Sequence, residues 1–393
     1  MQILQVTTYS LDNPRHGGQI RCSEIRKKLE SMGNIVESLC IIQRHEESRT
    51  NPHVRVTEQS WPVSNYLKSI FSDVDLHFTM QTDQWQAEVR KKIDINRYDL
   101  IVIEQPWMHK PMSMAFNAAR RSPIFVYSSH NVEAPLKTSI LEHLDKFTNE
   151  EIIKVAKIVK EIENEAALSS QLVIAVSSRD AKYFEKLGVK NLVVASNGAN
   201  LQKPRKLNLE TNTEKYFLFV GSGHPPNFEG FNKFLGESLA YLPPDFKIYC
   251  VGSVCHLIQE WIDGGGASGT FGSRARLLGE VSEQQLAQLI HSAKAILLPI
   301  KTGGGSNLKT AEALSSGKSV IATPVAMRGF ESWIGEPGVY VEESPEGFRR
   351  QIYLQTTRGE DFMLTNRKST KQHPLAWSDA LSSLERIREI QVH

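Results

Sequence analysis

Along almost the whole chain, apolar runs of strand length alternate with longer stretches whose apolar residues recur at helical spacing. "MQILQVTTY" leads into "GGQIRCSEIRKKLESMG", where the spacing predicts a helix with Gly33 as its stop. "IVESLCII", "YDLIVIEQ", "PIFVYSSHN", "QLVIAVS" and "NLVVASNG" complete a first set of strand candidates. Between them, residues 150–168 form the clearest helix pattern, with Ile152, Val155, Ala156, Val159 and Ile162 on one face. Lys154, Lys157 and Lys160 mark its basic edge, which reads as a solvated side rather than a membrane stripe.

A second set begins near residue 215 with "KYFLFVGSG", "FKIYCVGS", "ARLLGEV", "AILLPI", "SVIAT" and "GVYVEE". Strands alternating with helices imply parallel sheets covered on both faces. The polar, proline-containing stretch "NLQKPRKLNLETNTEK" separates the two sets as a linker. These patterns predict an α/β protein of two Rossmann-like domains, residues 1–203 and 204–372, with ligands at the carboxyl ends of strands facing a cleft. "PLAWSDALSSLERIREI" reads as an amphipathic helix, assigned to a final segment 373–393.

Composition narrows this picture. The 393 residues, 40% hydrophobic and 23% charged, suit two globular domains. Lys and Arg total 46 against 44 Asp and Glu, a formal charge of +2, so bulk nucleic-acid binding is not expected. No run approaches the roughly 18 apolar residues of a membrane span. Cys22, Cys40, Cys250 and Cys255 lack metal-site spacing and read as reduced buried thiols of a cytoplasmic protein.

The stretch "KTGGGSNLKTAEALSSGKSV" carries candidate phosphate chemistry. Its Gly317-Lys318-Ser319 ending is not a nucleotide-triphosphate P-loop, because the first glycine of that motif would fall on Glu312. The order is also reversed, with a helix before the triplet and a strand after it; Gly317 reads as a helix stop with positive φ. Gly303, Gly304, Gly305 and Ser306 have the opposite context, following "AILLPI" and opening the helix "NLKTAEAL". Glycines there let a ligand approach backbone N–H groups at a helix N-terminus, where Asn307, Leu308 and Lys309 follow. Lys309 offers a full charge to a diphosphate. Glu312, at i+3 on the same helix side, suits ribose hydroxyls.

Taken in order, these pieces resemble the retaining glycosyltransferases of the glycosyltransferase-B fold, in particular the "glycosyl transferases group 1" family (family 4). "HGGQIR" resembles that family's N-terminal glycine loop, and "SSHNVE" its segment bearing an active-site histidine. "VIAVSSRD", "VVASNGAN", "FVGSGHPPNFEG", "LLGEVSEQQLAQLIHSAKAILLPI" and the donor loop follow in the family's order. "AWSDALSSLERI" resembles its last helix, which crosses back to the first domain. The resemblance implies metal-independent transfer of a sugar, with retention, from a nucleotide-diphosphate sugar to an acceptor hydroxyl in polysaccharide or glycoconjugate synthesis. It needs no cofactor, and the acceptor is a carbohydrate, lipid-linked or protein hydroxyl. Contact with the inner membrane surface is left open.

By the same resemblance, His130 stands near the donor sugar, and Gly17 and Gly18 let their loop approach the diphosphate or acceptor. Lys309 stabilises the leaving diphosphate. Arg21 is a candidate anion contact or a surface arginine; Glu104, beside Gln105 and Trp107, is an acceptor-side candidate or a structural group. The chain departs from the family's Glu-x7-Glu pattern: Glu312 fits the second position, but Gly304 stands at the first. Near the first strand of the second domain, "GSGHPPNFEG" offers only His224 where the family has Arg and Lys. Two alternatives therefore stay open, a degenerate nucleotide-sugar-binding module and a nucleotide-sugar epimerase. Asp73-Val74-Asp75 matches the Asp-x-Asp signature of metal-dependent transferases but lacks its surroundings and reads as a polar helix or loop face.

Overall fold

Parallel strands alternate with helices in both halves of the protein, as seen in a computed structural model that describes residues 1–14, 16–43, 52–56, 71–144, 146–200, 214–302, 306–357, 370 and 373–390. The chain divides into one unit formed by Met1–Ser196 with Leu381–His393 and a second formed by Asn197–Ala380. Among the described residues, the first contains β1 (Gln2–Thr7), β2 (Ile35–Gln43), β3 (His53–Val56), β4 (Leu100–Glu104), β5 (Ile124–Ser128), β6 (Leu172–Ala175) and β7 (Leu192–Val194). Their order is β3-β2-β1-β4-β5-β6-β7, and every neighbouring pair is parallel.

Strand order reverses between β1 and β4, which makes their carboxyl ends the expected ligand edge. Register sharpens this placement. Val6 pairs with Ile103, Ile103 with Tyr127, and Glu104 with Ser128. Residues following β1, β4 and β5 are thereby brought together although β1 ends at Thr7 and β5 only at Ser128.

The second unit contains β8 (Lys215–Val220), β9 (Phe246–Val251), β10 (Ala275–Gly279), β11 (Ala295–Leu298), β12 (Ser319–Ala322) and β13 (Val339–Val341). Their order is β10-β9-β8-β11-β12-β13, again parallel, with the reversal between β8 and β11. β8 shows why such strands read as continuous apolar runs. Phe217 and Phe219 enter one core with Phe231 and Ile248, whereas Tyr216 and Leu218 enter another with Tyr249. Both sheets are covered on both faces, the α/β architecture expected for the glycosyltransferase-B fold.

Several local expectations change. The segment 373–393 is not one amphipathic α-helix: Trp377–Ala380 forms a single turn, and Ser382–Glu389 is a 3-10 helix. Its apolar residues Leu381, Leu384 and Ile387 recur every third position, which a three-residue turn places on one line. Ser383 Oγ donates to the Val194 carbonyl at 2.7 Å and Arg386 to that of Leu192 at 3.2 Å. Asp73 and Asp75 lie in the helix Ser72–Thr79, but the face is not simply polar, because Val74 and Asp75 are buried. Asp73 sits 3.7 Å from Lys137. No disulfide joins the four buried cysteines. Among the described residues, no helix is long and apolar enough to cross a membrane.

Candidate active site

In the first unit, the turn after β1 leads to the helix Gly17–Ser31, whose N-cap is His16. His16 Nδ1 accepts from the Gln19 N–H and the Gln19 side chain accepts from the His16 N–H, both at 3.4 Å. Gln19 Nε2 also donates to the Ser10 carbonyl at 2.8 Å, tying the turn to the helix. Gly18 leaves room that this arrangement requires: a Cβ there would stand 2.6 Å from the Tyr9 hydroxyl. Tyr9 can therefore lean over the helix towards His130.

Five side chains then form a connected network. Gln5 Nε2 donates to Glu104 Oε1 at 2.7 Å and to the Cys22 carbonyl at 2.9 Å. His130 Nε2 lies 3.0 Å from Glu104 Oε2 and 3.7 Å from Cys22 Sγ. The Tyr9 hydroxyl is 3.2 Å from His130 Nδ1 and 3.5 Å from Cys22 Sγ. Glu104 is fully buried, His130 9% exposed.

Protonation follows from these contacts. Burial pushes the Glu104 carboxyl upward, but hydrogen bonds and charge from His130, with the donor Gln5, hold it below its ordinary value. Burial lowers the His130 pKa, outweighing the Glu104 contact that opposes it. Ion pairing alone would have raised the imidazole, so the group is neutral beside an ionised carboxylate. Nε2–H must then donate to Glu104, leaving Nδ1 to accept from the Tyr9 O–H. Burial first, with Cys22 and Glu104 nearby, keeps the Tyr9 phenol protonated by raising its pKa well above the ordinary value.

Arg21 is 2% exposed, so the surface-arginine alternative is corrected. Burial lowers its pKa, opposed by Glu104 and other anionic neighbours. A second buried carboxylate group sits behind the His130 segment. Glu163 accepts the Glu133 N–H at 3.1 and 3.0 Å and the Tyr127 hydroxyl at 3.0 Å. It thereby caps the helix Glu133–His143 from a distant helix, Asn149–Ser169. Burial, then repulsion from Glu133, pushes Glu163 up to about 8.

In the second unit, two helices begin beside the point where strand order reverses: Pro225–Leu235 after β8 and Leu308–Ser315 after β11. Gly230 allows close packing, since a Cβ there would fall 1.8 Å from the Pro299 carbonyl oxygen. Asn307 caps the later helix, its Oδ1 accepting the Lys309 N–H at 3.1 Å. Asn197 Nδ2 donates to the Ser306 carbonyl at 2.8 Å, and the buried Ser306 hydroxyl has no hydrogen-bond partner among the described residues. Lys309 Nζ reaches Asn227 Oδ1 at 3.1 Å, linking the first turns of the two helices. Burial lowers the Lys309 pKa to about 8, with nearby Glu312 opposing. Glu312 is exposed, and Leu308 lies in the first helical turn. His224 is lowered by burial and then by Lys309. Gly317 has φ 73°, next to the end of the helix, whereas Gly303, Gly304 and Gly305 lie outside the described residues.

The first unit thus gathers Glu104, His130, Gly18 and the buried Arg21, with Gly17 at the exposed helix start. The second gathers Ser306, Asn307 and Lys309. Sequence reasoning missed Tyr9, Gln5, Cys22 and Asn227. Only Asn227 carried a local signal, a polar side chain in the first turn of a helix opened by Pro225-Pro226.

Two parallel sheets, each covered on both faces, define the class, a protein of the glycosyltransferase-B fold. Residues 214–354, within the second unit, match the model of the family described as Glycosyl transferases group 1. Similar solved structures span the whole chain. Anabaena HepE in complex with UDP and glucose is 17% identical, with TM-score 0.60 over 99% of this chain and 98% of that one. Sucrose-phosphate synthase from Thermosynechococcus elongatus is 15% identical, with TM-score 0.66 and coverage of 99% and 98%. WaaG, a glycosyltransferase involved in lipopolysaccharide biosynthesis, is 14% identical, with TM-score 0.58 and coverage of 99% and 96%. No curated protein matches the sequence.

Proposed function

We propose that the protein transfers a glycosyl group from a nucleoside-diphosphate sugar to an acceptor hydroxyl, with retention and without a metal ion. The second unit holds the donor; the first unit acts on the sugar and acceptor. The observation that carries this reading is Lys309, a cation whose ammonium, among the described residues, meets only the neutral Asn227 in a direct hydrogen bond. A diphosphate supplies the charge this ammonium lacks, and two helix starts add N–H donors. As the bond from the sugar to the diphosphate breaks, negative charge grows on the leaving group. Lys309 and the helix termini stabilise it there, the work that a metal ion does in other transferases.

In the first unit, His130 is held neutral with Nδ1 as an acceptor. A sugar hydroxyl can replace the Tyr9 hydroxyl at that nitrogen when the Tyr9 side chain turns aside. Glu104 fixes the tautomer that makes this possible. Gly303, Gly304, Gly305, Ser306 and Asn307 offer backbone groups to the donor, while Glu312 serves the ribose. Gly17 and Gly18 border the first unit's turn, and Arg21 adds positive potential beneath it. Retention follows from the family resemblance. The acceptor is a carbohydrate or lipid-linked carbohydrate, the latter placing the protein at a membrane surface.

Calorimetry with UDP and UDP-glucose, in chelator, tests the donor site. Binding in the wild type that is lost in Lys309→Met supports the proposal; equal binding in both proteins overturns the assignment of Lys309. Turnover distinguishes the transferase from the nucleotide-sugar-binding module, which binds donor without consuming it.

A further inference from the structure

The same network in the first unit has a second chemical capacity. Cys22 Sγ, one Glu104 carboxylate oxygen and one His130 nitrogen lie within 4.8 Å of one another, and all three residues are buried. We propose that these three side chains form a binding site for a soft divalent cation of the Zn2+ class, whose occupancy withdraws His130 from substrate.

Donor spacing fits such an ion. Tetrahedral zinc with bonds of about 2.0–2.3 Å separates nitrogen from sulfur by about 3.6 Å and nitrogen from oxygen by about 3.3 Å. The observed separations are 3.7 Å from His130 Nε2 to Cys22 Sγ and 3.0 Å to Glu104 Oε2. The donor types also fit, because thiolate, imidazole and carboxylate together suit zinc and related ions. Thiolate and carboxylate balance the dication, while His130 adds a neutral donor.

An outer shell is already present. Gln5 holds the other Glu104 oxygen at 2.7 Å and the Cys22 carbonyl at 2.9 Å. On metal binding the His130 proton leaves Nε2 and resides on Nδ1, where the Tyr9 oxygen, 3.2 Å away, accepts it. Metal-bound histidines characteristically donate their second N–H to such a partner. The Cys22 thiol proton passes to solvent, and no oxidant or reductant is involved. Tyr9, only partly buried, covers the cluster and provides the entry path by rotating away. Burial first, then Glu104, raises the Cys22 pKa well above its ordinary value, so without an ion the thiol keeps its proton; Arg21 offsets this only in part, and the cation displaces the proton.

This ion is not a cofactor of the proposed transfer. It competes with it, and that consequence alone rests on the functional reading above. The test is titration of the full chain with Co2+, followed by absorption. One equivalent should produce a thiolate-to-cobalt charge-transfer band and intense tetrahedral d–d bands. Cys22→Ser should abolish the charge-transfer band, whereas Cys250→Ser should retain it. X-ray absorption of the Zn2+-loaded wild type provides a check independent of variants, with one sulfur among the nearest ligands expected. Absence of a cobalt band, its persistence in a folded Cys22→Ser protein, or no sulfur at zinc overturns the site. UDP calorimetry reports the second unit separately, so failure of the cation site and failure of the donor reading are distinguishable.

Discussion

The polar groups at the two switch points differ in how fully the protein satisfies them. In the first unit, the central atoms have matched partners: Gln5 serves Glu104, Glu104 serves His130, and His130 serves Tyr9. In the second, Lys309 has a neutral amide as its direct hydrogen-bond partner, and the Ser306 hydroxyl is buried without one among the described residues. A closed network stores orientation, whereas an incompletely compensated cation stores affinity. Removing a member of the first should cost stability before binding; removing Lys309 should cost binding with little loss of stability.

The largest expected effect belongs to Glu104. Glu104→Ala strands the His130 and Gln5 donors in a buried space, which should destabilise the first unit by about 3 kcal/mol. Chemical denaturation measures it. A loss below about 1 kcal/mol would mean that the network is not closed as described.

Glu163 gives the next effect, and its sign is fixed by its raised pKa. Below its ordinary carboxyl range, both folded and unfolded forms are protonated, so it adds no pH dependence. Between about 4.5 and about 8 the unfolded chain ionises while the folded one keeps its proton, and stability falls as pH rises. From pH 5 to 7 this amounts to about 2 kcal/mol in the wild type, with a flatter profile in Glu163→Gln. Parallel profiles would reject the assignment.

In the second unit, Lys309→Met should weaken UDP binding by about 10- to 100-fold, the range for losing a charge-assisted contact. Its melting midpoint without ligand should hold steady or rise, because a half-buried ammonium has been removed. The related pH effect is smaller. With Lys309 near pKa 8 when free and higher beside a diphosphate, binding takes up a proton as pH passes through about 8. UDP affinity should fall about tenfold from pH 7 to 9 in the wild type and stay flat in Lys309→Met.

The contrast also explains what the sequence made legible. Lys309 and its helix start are local: a strand, the glycine-serine stretch, Asn307 and then Lys309 lie within residues 295–309. The first unit's network depends on parallel register, with Gln5 and Glu104 ninety-nine positions apart. Nothing near Tyr9 or Cys22 marks either residue, because their partners lie on other strands. β3, only His53–Val56, was missed for a different reason: four residues carry too little pattern to distinguish a strand from a loop. At residues 382–389 the apolar residues are visible in the sequence, but their pattern marks an amphipathic helix without separating a 3-10 helix from an α-helix.

The smallest effect probes the edge of the closed network. Gly18→Ala places a methyl carbon 2.6 Å from where the Tyr9 oxygen now lies, so the phenol must shift. Alanine is also the better helix former, by up to about 1 kcal/mol. The gain and the lost Tyr9 contact should nearly cancel, leaving overall stability within about 1 kcal/mol. The Tyr9 contact to His130 should nevertheless loosen, exposing Nδ1 and changing the His130 ring signals in a 15N NMR spectrum. Tyr9→Phe should produce the same change in His130 while leaving Gly18 unaltered. If Gly18→Ala leaves those signals where they are while Tyr9→Phe moves them, the methyl is accommodated without displacing the phenol. The turn after β1 would then be looser than a network sealed by Tyr9 requires, and the difference between the two sites would be smaller.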